Sequence, residues 1–265
     1  MRNWRKEMLK KSVLVFAVLL VATNLWAVAG PMDVSRTRHN LSSTLDVTNL
    51  PNAEIFISSN EDEVCIFCHT PHGGTMNTPL WNRALPTGAF THYTSSTLTA
   101  TVGGATRAVS PESLLCLSCH DGSAAVSSII NNSNSTDAAP DSIANTVPMF
   151  GFTTGGAIGS IIIGGVLQVD EKRNLSDDHP ISFSYLLALG DGNASSLHTL
   201  QDAKNAGVRF FGPEAANPSG SRVECSSCHD PHVNYTAANG GNAAYTPFLI
   251  TPNTGSALCL ACHIK

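Results

Sequence analysis

The chain has 265 residues, of which 15 are basic and 20 acidic, so its formal charge is −5. Charged residues make up 13% and aromatic residues 6% of the sequence, whereas about 25% charged residues are usual for a globular domain. This composition argues against a basic nucleic-acid-binding surface and against an enzyme built around a large side-chain core.

Residues 1–29 are typical of a cleaved secretory signal. Five basic residues precede an apolar run, and the small-residue sequence AVA at 27–29 follows it. A retained membrane anchor is the alternative, but Thr23 and Asn24 interrupt the run and leave it short of the ~20 apolar residues of a span. We therefore predict an exported mature chain with no membrane span. Cleavage leaves 10 basic and 19 acidic residues, a charge of −9.

Two sequence elements each occur twice, in the same order. CIFCHTPH at 65–72 is followed by LCLSCH at 115–120, and CSSCHDPH at 225–232 is followed by LCLACH at 258–263. Thr-Pro and a bulky apolar residue lie between the two elements each time, and a histidine lies upstream of each pair. The apolar residues are Leu80 and Phe248, and the upstream histidines are His39 and His179.

These repeats divide the mature chain into two related halves, a first half at 30–128 and a second half at 170–265. Residues 129–169 are predicted to be an insertion, a polar loop followed by a glycine-flanked hairpin near 161–163. No long amphipathic helical pattern occurs, and candidate strands are short. We expect a mostly irregular fold with short helices and a few short strands.

All eight cysteines belong to Cys-x-x-Cys pairs, and a histidine follows each pair directly. This spacing lets two thiols reach the two vinyl groups of one haem while the histidine becomes the proximal iron ligand. Zinc sites or disulfides would not require the histidines. We therefore predict four c-type haems. The predicted groups are Cys65, Cys68 and His69; Cys116, Cys119 and His120; Cys225, Cys228 and His229; and Cys259, Cys262 and His263.

The second axial ligand decides whether each iron is closed or open to a reactant. Six histidines remain, and four of them recur between the halves, so the repeat predicts His39, His72, His179 and His232 as distal ligands. His72 and His232 each follow a proximal histidine by three residues, so we expect each to bind a neighbouring haem. His92 and His198 have no counterpart and are interpreted as surface or propionate-bonding residues.

The sequence resembles the multihaem cytochromes of metal-reducing microbes that transfer electrons outside the cell, and among them the OmcE-type tetrahaem cytochromes, which polymerise into filaments. Four further segments besides CIFCHTPH carry the likeness: 38–42 (RHNLS), 79–82 (PLWN), 93–96 (YTSS) and 178–183 (DHPISF). The resemblance implies a haem core with bis-histidine haems in alternating parallel and T-shaped stacks, and one axial histidine donated by a neighbouring subunit. By its position near the mature N-terminus, His39 is the expected donor.

We expect electron transfer rather than conversion of a substrate, in an extracellular homopolymer that delivers electrons to redox partners and external acceptors. A monomeric periplasmic shuttle is the main alternative. A multihaem reductase with one open iron is a further alternative, since the ligand count is inferred from the repeat alone.

Overall fold

The chain is mostly irregular, as the sequence predicts. The computed structural model describes residues 31–46, 48, 57–58, 61–75, 79–95, 98, 107–120, 129–131, 149–150, 173–176, 178–193, 195–212 and 220–265. The predicted signal at 1–29 and the predicted hairpin near 161–163 lie outside these residues. None of the described helices is long and apolar enough to cross a bilayer.

The α-helices in the described part of the chain are short. They are α1 (Pro111–His120), α2 (Tyr185–Ala188), α3 (Leu200–Asn205) and α4 (Ala257–Leu260), with a π-turn at Leu189–Asn193 after α2. Proline at the first position and Glu112 in the first turn favour the start of α1. The side chain of Thr199 caps α3 by accepting the N–H of Asp202 at 3.1 Å.

Each strand has only two residues, and the strands form three separate pairs. They are β1 (Ile57–Ser58), β2 (Thr91–His92), β3 (Met149–Phe150), β4 (Asn174–Leu175), β5 (Phe183–Ser184) and β6 (Arg222–Val223). β1 pairs with β3 and β5 with β6 in antiparallel fashion, whereas β2 pairs with β4 in parallel. Strand pairs this short connect distant segments of the chain, but they are too small to form a stable sheet.

The buried apolar side chains of the described residues form three small clusters instead of one continuous core. A domain of this length would ordinarily have a single contiguous core. The clusters are the Ala203 cluster (Ala203, Val208, Leu249, Leu258 and Ala261), the Phe67 cluster (Ile66, Phe67 and Ile129) and the Phe90 cluster (Phe90, Leu117 and Leu175).

The two halves are interleaved in space. The N-terminal segment of the first half runs beside the loop that contains His232 in the second half. The N–H of Asp33 donates to the His232 carbonyl at 2.9 Å, and the N–H of Asn234 donates to the Pro31 carbonyl at 2.7 Å. This pairing places residues near 39 next to the second half, although the sequence assigns them to the first.

Candidate haem-binding sites

Each Cys-x-x-Cys-His group forms one helical turn. Three of the four groups are single turns closed by the carbonyl of the first cysteine, which accepts the N–H of the histidine at 2.8, 3.0 and 2.9 Å for His69, His229 and His263. The remaining group, Cys116, Cys119 and His120, lies at the end of α1. Residues at i, i+3 and i+4 of such a turn share one face, so both thiols and the imidazole lie on the same side. None of the eight cysteines forms a disulfide.

Three of the four proximal histidines have another histidine ring facing them. The separations of the ring centroids are 6.3 Å for His69 and His232, 6.1 Å for His39 and His120, and 6.3 Å for His179 and His263. In every case the facing residue is one of the four that the sequence predicts as a distal ligand. The structure therefore brings six of the eight predicted ligands together as three pairs, which the sequence did not specify.

The separations of these rings fit one metal atom between each pair. An imidazole nitrogen binds a metal at about 2 Å and lies about 1 Å from its ring centroid, so a shared metal sets the centroids about 6 Å apart. Contacting aromatic rings also have centroids about 4.5 to 7 Å apart, so the separation is compatible with a shared metal and does not by itself require one. The donor set of two thiols and two imidazoles at each position suits a c-type haem.

The proximal rings are oriented by backbone carbonyls. Nδ1 of His69 donates to the Pro79 carbonyl at 2.8 Å, and Nδ1 of His229 donates to the Pro247 carbonyl at 2.9 Å. Since a carbonyl oxygen only accepts hydrogen bonds, Nδ1 carries the proton and Nε2 has its lone pair available for a metal. The matching contacts of the two prolines explain why a Thr-Pro element follows both CxxCHxPH segments.

A carboxylate fixes the ring of His232. Nδ1 of His232 donates to Oδ1 of Asp230 at 2.8 Å, and Nη1 of Arg209 donates to the other oxygen of the same carboxylate at 2.9 Å. The hydrogen bond from Asp230 raises the pKa of His232, and the bond to His232 lowers the pKa of Asp230. A carboxylate behind an imidazole ligand increases the basicity of that ligand toward a metal.

His39 and His120 are half-buried residues of the first half. Burial lowers the pKa of His39 to about 3 and that of His120 to about 4, and a neighbouring histidine adds to the shift in each case. The ring of Phe248 packs on His39 with centroids 4.2 Å apart. Both imidazoles are therefore neutral near pH 7, which is the form that binds metals.

His72 and His229 are the two predicted ligands for which the described residues show no facing histidine ring. Within the described residues, neither makes a ring contact with another histidine. The His72 backbone is held by Asn131, whose Nδ2 donates to the His72 carbonyl at 2.9 Å, whereas the residue as a whole is exposed. The chain thus presents one proximal histidine without a facing ring and one surface histidine of the predicted distal set.

The four sites are numbered in chain order by their proximal histidines, which are His69, His120, His229 and His263. The first and second sites adjoin each other. Burial raises the pKa of the Cys68 thiol to about 12, and the nearby Cys119 thiol adds to the rise. Nε1 of Trp81 donates to Oγ of Ser118 at 3.0 Å, which ties the loop after the first site to α1. These contacts place the two sites side by side.

The second and third sites also adjoin each other. The Cys116 and Cys225 thiols lie close enough to raise the pKa of Cys116 and to lower that of Cys225. The N–H of Cys225 also donates to Oγ of Ser113 in α1 at 3.1 Å. This contact joins α1 of the first half to the third site in the second half.

The third and fourth sites share the Ala203 cluster, against which both Cys228 and Cys262 pack. Burial raises the pKa of Cys228 to about 12, with the Cys262 thiol as the next contribution. The order of the sites in space is therefore the order in the sequence, first to fourth, with thiols of consecutive sites near each other.

The two histidines without a repeat counterpart differ from each other. His198 is half-buried, and its N–H donates to the Cys262 carbonyl at 2.8 Å. His92 is fully buried in β2. Residues that the sequence analysis did not single out include Asp230, behind His232, and the carbonyls of Pro79 and Pro247. The repeated Thr-Pro element was a signal for the carbonyls, whereas nothing distinguished Asp230.

No protein-family model matches the chain, and no curated protein is significantly similar to it.

Proposed function

We propose that this chain is an electron-transfer protein that holds four c-type haems between histidine pairs and assembles head to tail into an extracellular conducting filament. The observation that carries the proposal is the set of three histidine pairs at the separation of a bis-imidazole iron site. A pair of imidazoles closes both axial positions of an iron, which favours electron transfer over binding of a reactant. Bound haem would supply one-electron chemistry at each site.

The chain's contribution is to fix the order of the sites. Contacts between the thiols of consecutive sites, such as Cys116 with Cys225, keep the four positions adjacent from first to fourth. The matching hydrogen bonds of His69 and His229 support two related halves, each of which would hold two haems. An uninterrupted row of closed sites is what a relay requires, and no substrate pocket is needed.

The case for assembly rests on how the second half completes the first. His232 faces His69, and Phe248 covers His39, so two second-half residues serve first-half sites. Their counterparts in the first half are His72 and Leu80. Both counterparts are exposed, with Leu80 at 42% of its full accessibility. The repeat gives the chain only two halves, so it has no third half that His72 and Leu80 could contact in the same way.

A second copy of the chain would supply that third half. If it lies on the second half as the second half lies on the first, its His72 reaches His229 and its Leu80 reaches His179. Such an interface joins two different surfaces, and it repeats without closing unless the rotation happens to form a ring. The surface residue donated to a neighbour is then His72 rather than His39, whose ring already faces His120 within one chain.

His72→Ala tests this arrangement. We expect the variant to retain four haems by mass spectrometry, to lose filaments in electron micrographs of the secreted fraction, and to show one high-spin haem in four. Added imidazole should restore the low-spin spectrum without restoring filaments, which separates ligation from folding. Filaments and a fully low-spin spectrum in the variant would refute the role of His72, and dispersed wild-type monomers would favour the periplasmic shuttle.

A reductase with an open iron at the third site is the alternative that one observation favours, because His229 faces no other histidine ring among the described residues of its own chain. Carbon monoxide distinguishes the two functions. A reductase would bind one equivalent of carbon monoxide in its native assembled state, whereas a filament should bind none.

A further inference from the structure

The segments around the second and fourth sites have the same sequence pattern but different exposure. Both read Ser-x-Leu-Cys-Leu-x-Cys-His, at 113–120 and at 256–263. The second leucine of the pattern is 2% exposed in the first segment, as Leu117, and 38% exposed in the other, as Leu260. One pattern therefore has a covered surface in the first half of the chain and an uncovered surface in the second half.

The contacts of Ser113 show what covers this surface in the first half. Its Oγ accepts the N–H of Cys225 at 3.1 Å and donates to Oε2 of Glu224 at 2.6 Å. An ion pair supports the same contact, since Nη2 of Arg222 donates to the Glu112 carboxylate at 3.1 Å. The segment at the second site is thus docked, through its serine, on the turn that begins the third site.

The counterparts of these residues are exposed. By the repeat, Ser256 corresponds to Ser113, and Cys65 corresponds to Cys225. Ser256 is exposed, whereas Ser113 is fully buried. Among the eight cysteines, the two exposed ones are Cys65 and Cys259, and the other six are partly buried. Both surfaces that would repeat the Ser113 contact are therefore uncovered.

We infer that Oγ of Ser256 in one copy of the chain accepts a hydrogen bond from the N–H of Cys65 in a second copy. This inference rests on the proposed assembly, but it assigns the contact to residues other than His72 and Leu80. The occupant of the surface at Ser256 is a second copy, because the matching surface at Cys65 belongs to the same chain. A single relation between neighbouring halves satisfies the His72, Leu80 and Ser256 contacts together.

The charges at this contact fit the docking of two copies. The exposed Asp62 stands where the second half has Arg222, and Gly255 stands where α1 has Glu112. Glycine at this position therefore removes the carboxylate that would otherwise lie opposite Asp62 and repel it. The ion pair inside the chain is replaced, between copies, by a pair of positions without like charges.

Gly255→Glu tests the contact and allows a rescue. A side chain at Gly255 meets open space within its own chain. We expect the variant to hold four haems by mass spectrometry and to raise the subunit concentration at which filaments form at least about tenfold. Adding Asp62→Arg supplies the charge arrangement of Arg222 and Glu112 across the interface, and it should restore assembly. Backbone strain at the positive φ of position 255 is the same in both variants, so it cannot explain a rescue.

Hydrogen exchange of backbone amides gives a second reading. The Cys65 amide should exchange slowly in wild-type filaments and fast in dispersed His72→Ala monomers. The Cys225 amide is the internal control, because it donates to Ser113 within one chain and should exchange slowly in both samples. Ser256→Ala, which removes the acceptor, should raise the concentration for filament formation about fivefold, the effect of one hydrogen bond.

Failure of the inference is distinguishable from failure of the proposed function. Wild-type filaments together with unimpaired assembly of Gly255→Glu, with no rescue by Asp62→Arg, or with fast exchange of the Cys65 amide would overturn the inference alone. Wild-type protein that forms no filaments would refute the proposed assembly and this inference with it. Fewer than four haems per chain would refute the proposed haem binding.

Discussion

His232 of the second half faces His69 of the first, with ring centroids 6.3 Å apart and ring planes within 12° of parallel. The other two pairs, His39 with His120 and His179 with His263, cross at 76° and 75°. The near-parallel pair is also the one whose members come from different halves. A haem here would be held to the first half through Cys65 and Cys68 and to the second half through coordination by His232.

Removing His232 should leave the haem iron at His69 without its sixth ligand. We expect His232→Ala filaments to contain one high-spin haem that binds carbon monoxide, because His232 acts on His69 within its own chain. Monomers of the variant should contain one more such haem than wild-type monomers, whose third site already lacks the His72 of a neighbour. The measurement is an optical titration with carbon monoxide against total haem.

His198→Ala is the matched control for that variant, since it removes a half-buried histidine for which the described residues show no facing histidine ring. The control should remain fully low-spin. If the two variants behave identically, the pairing of His232 with His69 does not represent an axial ligand pair.

The carboxylate of Asp230, which accepts a hydrogen bond from His232, should affect the midpoint potential of one haem. Asp230→Asn replaces an anion that accepts from Nδ1 of His232 with a neutral amide, so the imidazole becomes a weaker electron donor to the iron. We expect one midpoint potential to rise, on the order of tens of millivolts within the ~0.8 V range over which axial ligands act. Spectroelectrochemistry measures it, and a fall in that potential, or a change at all four haems, would contradict the assignment.

A buried carboxylate holds three segments together. Glu224 has a fully buried side chain and accepts hydrogen bonds from Ser113 at 2.6 Å, Ser182 at 2.9 Å and Arg222 at 3.2 Å. Glu224→Ala leaves these donors without their acceptor and should lower the free energy of unfolding by about 3 kcal/mol. Guanidinium denaturation of the holoprotein gives the value.

Glu112 provides the control for this prediction, because it pairs with the same Arg222 at 3.1 Å but has a side chain that is 29% exposed. Glu112→Ala should cost less than about 1 kcal/mol, as exposed ion pairs do. Equal losses in the two variants would show that burial of Glu224 contributes nothing.

The sequence predicts the local backbone geometry of the Cys-x-x-Cys-His groups, because a helical turn depends on short spacing. The Cys-x-x-Cys-His pattern sets the helical turn at Cys65, at Cys225 and at Cys259, and the scarcity of periodic apolar residues correctly indicates an irregular fold. The repeat also selects three histidines that face proximal rings, together with His72.

The partners of these histidines could not be predicted, because pairing depends on how distant segments dock. His39 reaches His120 only because the N-terminal segment runs beside the loop of His232, and no local pattern specifies that pairing. The expectation that His39 serves a neighbouring subunit came from its position in the sequence alone. Asp230 was not singled out, since a carboxylate in a loop is ordinarily solvated.

The most direct measurement of the central claim is a cryo-electron microscopy map of the exported protein in which the ligands of each iron are visible. The account predicts irons between His69 and His232, His39 and His120, and His179 and His263 of one chain, with a fourth between His229 and His72 of the next copy. An iron at the third site with any other sixth ligand, or fewer than four haems per chain, would contradict it.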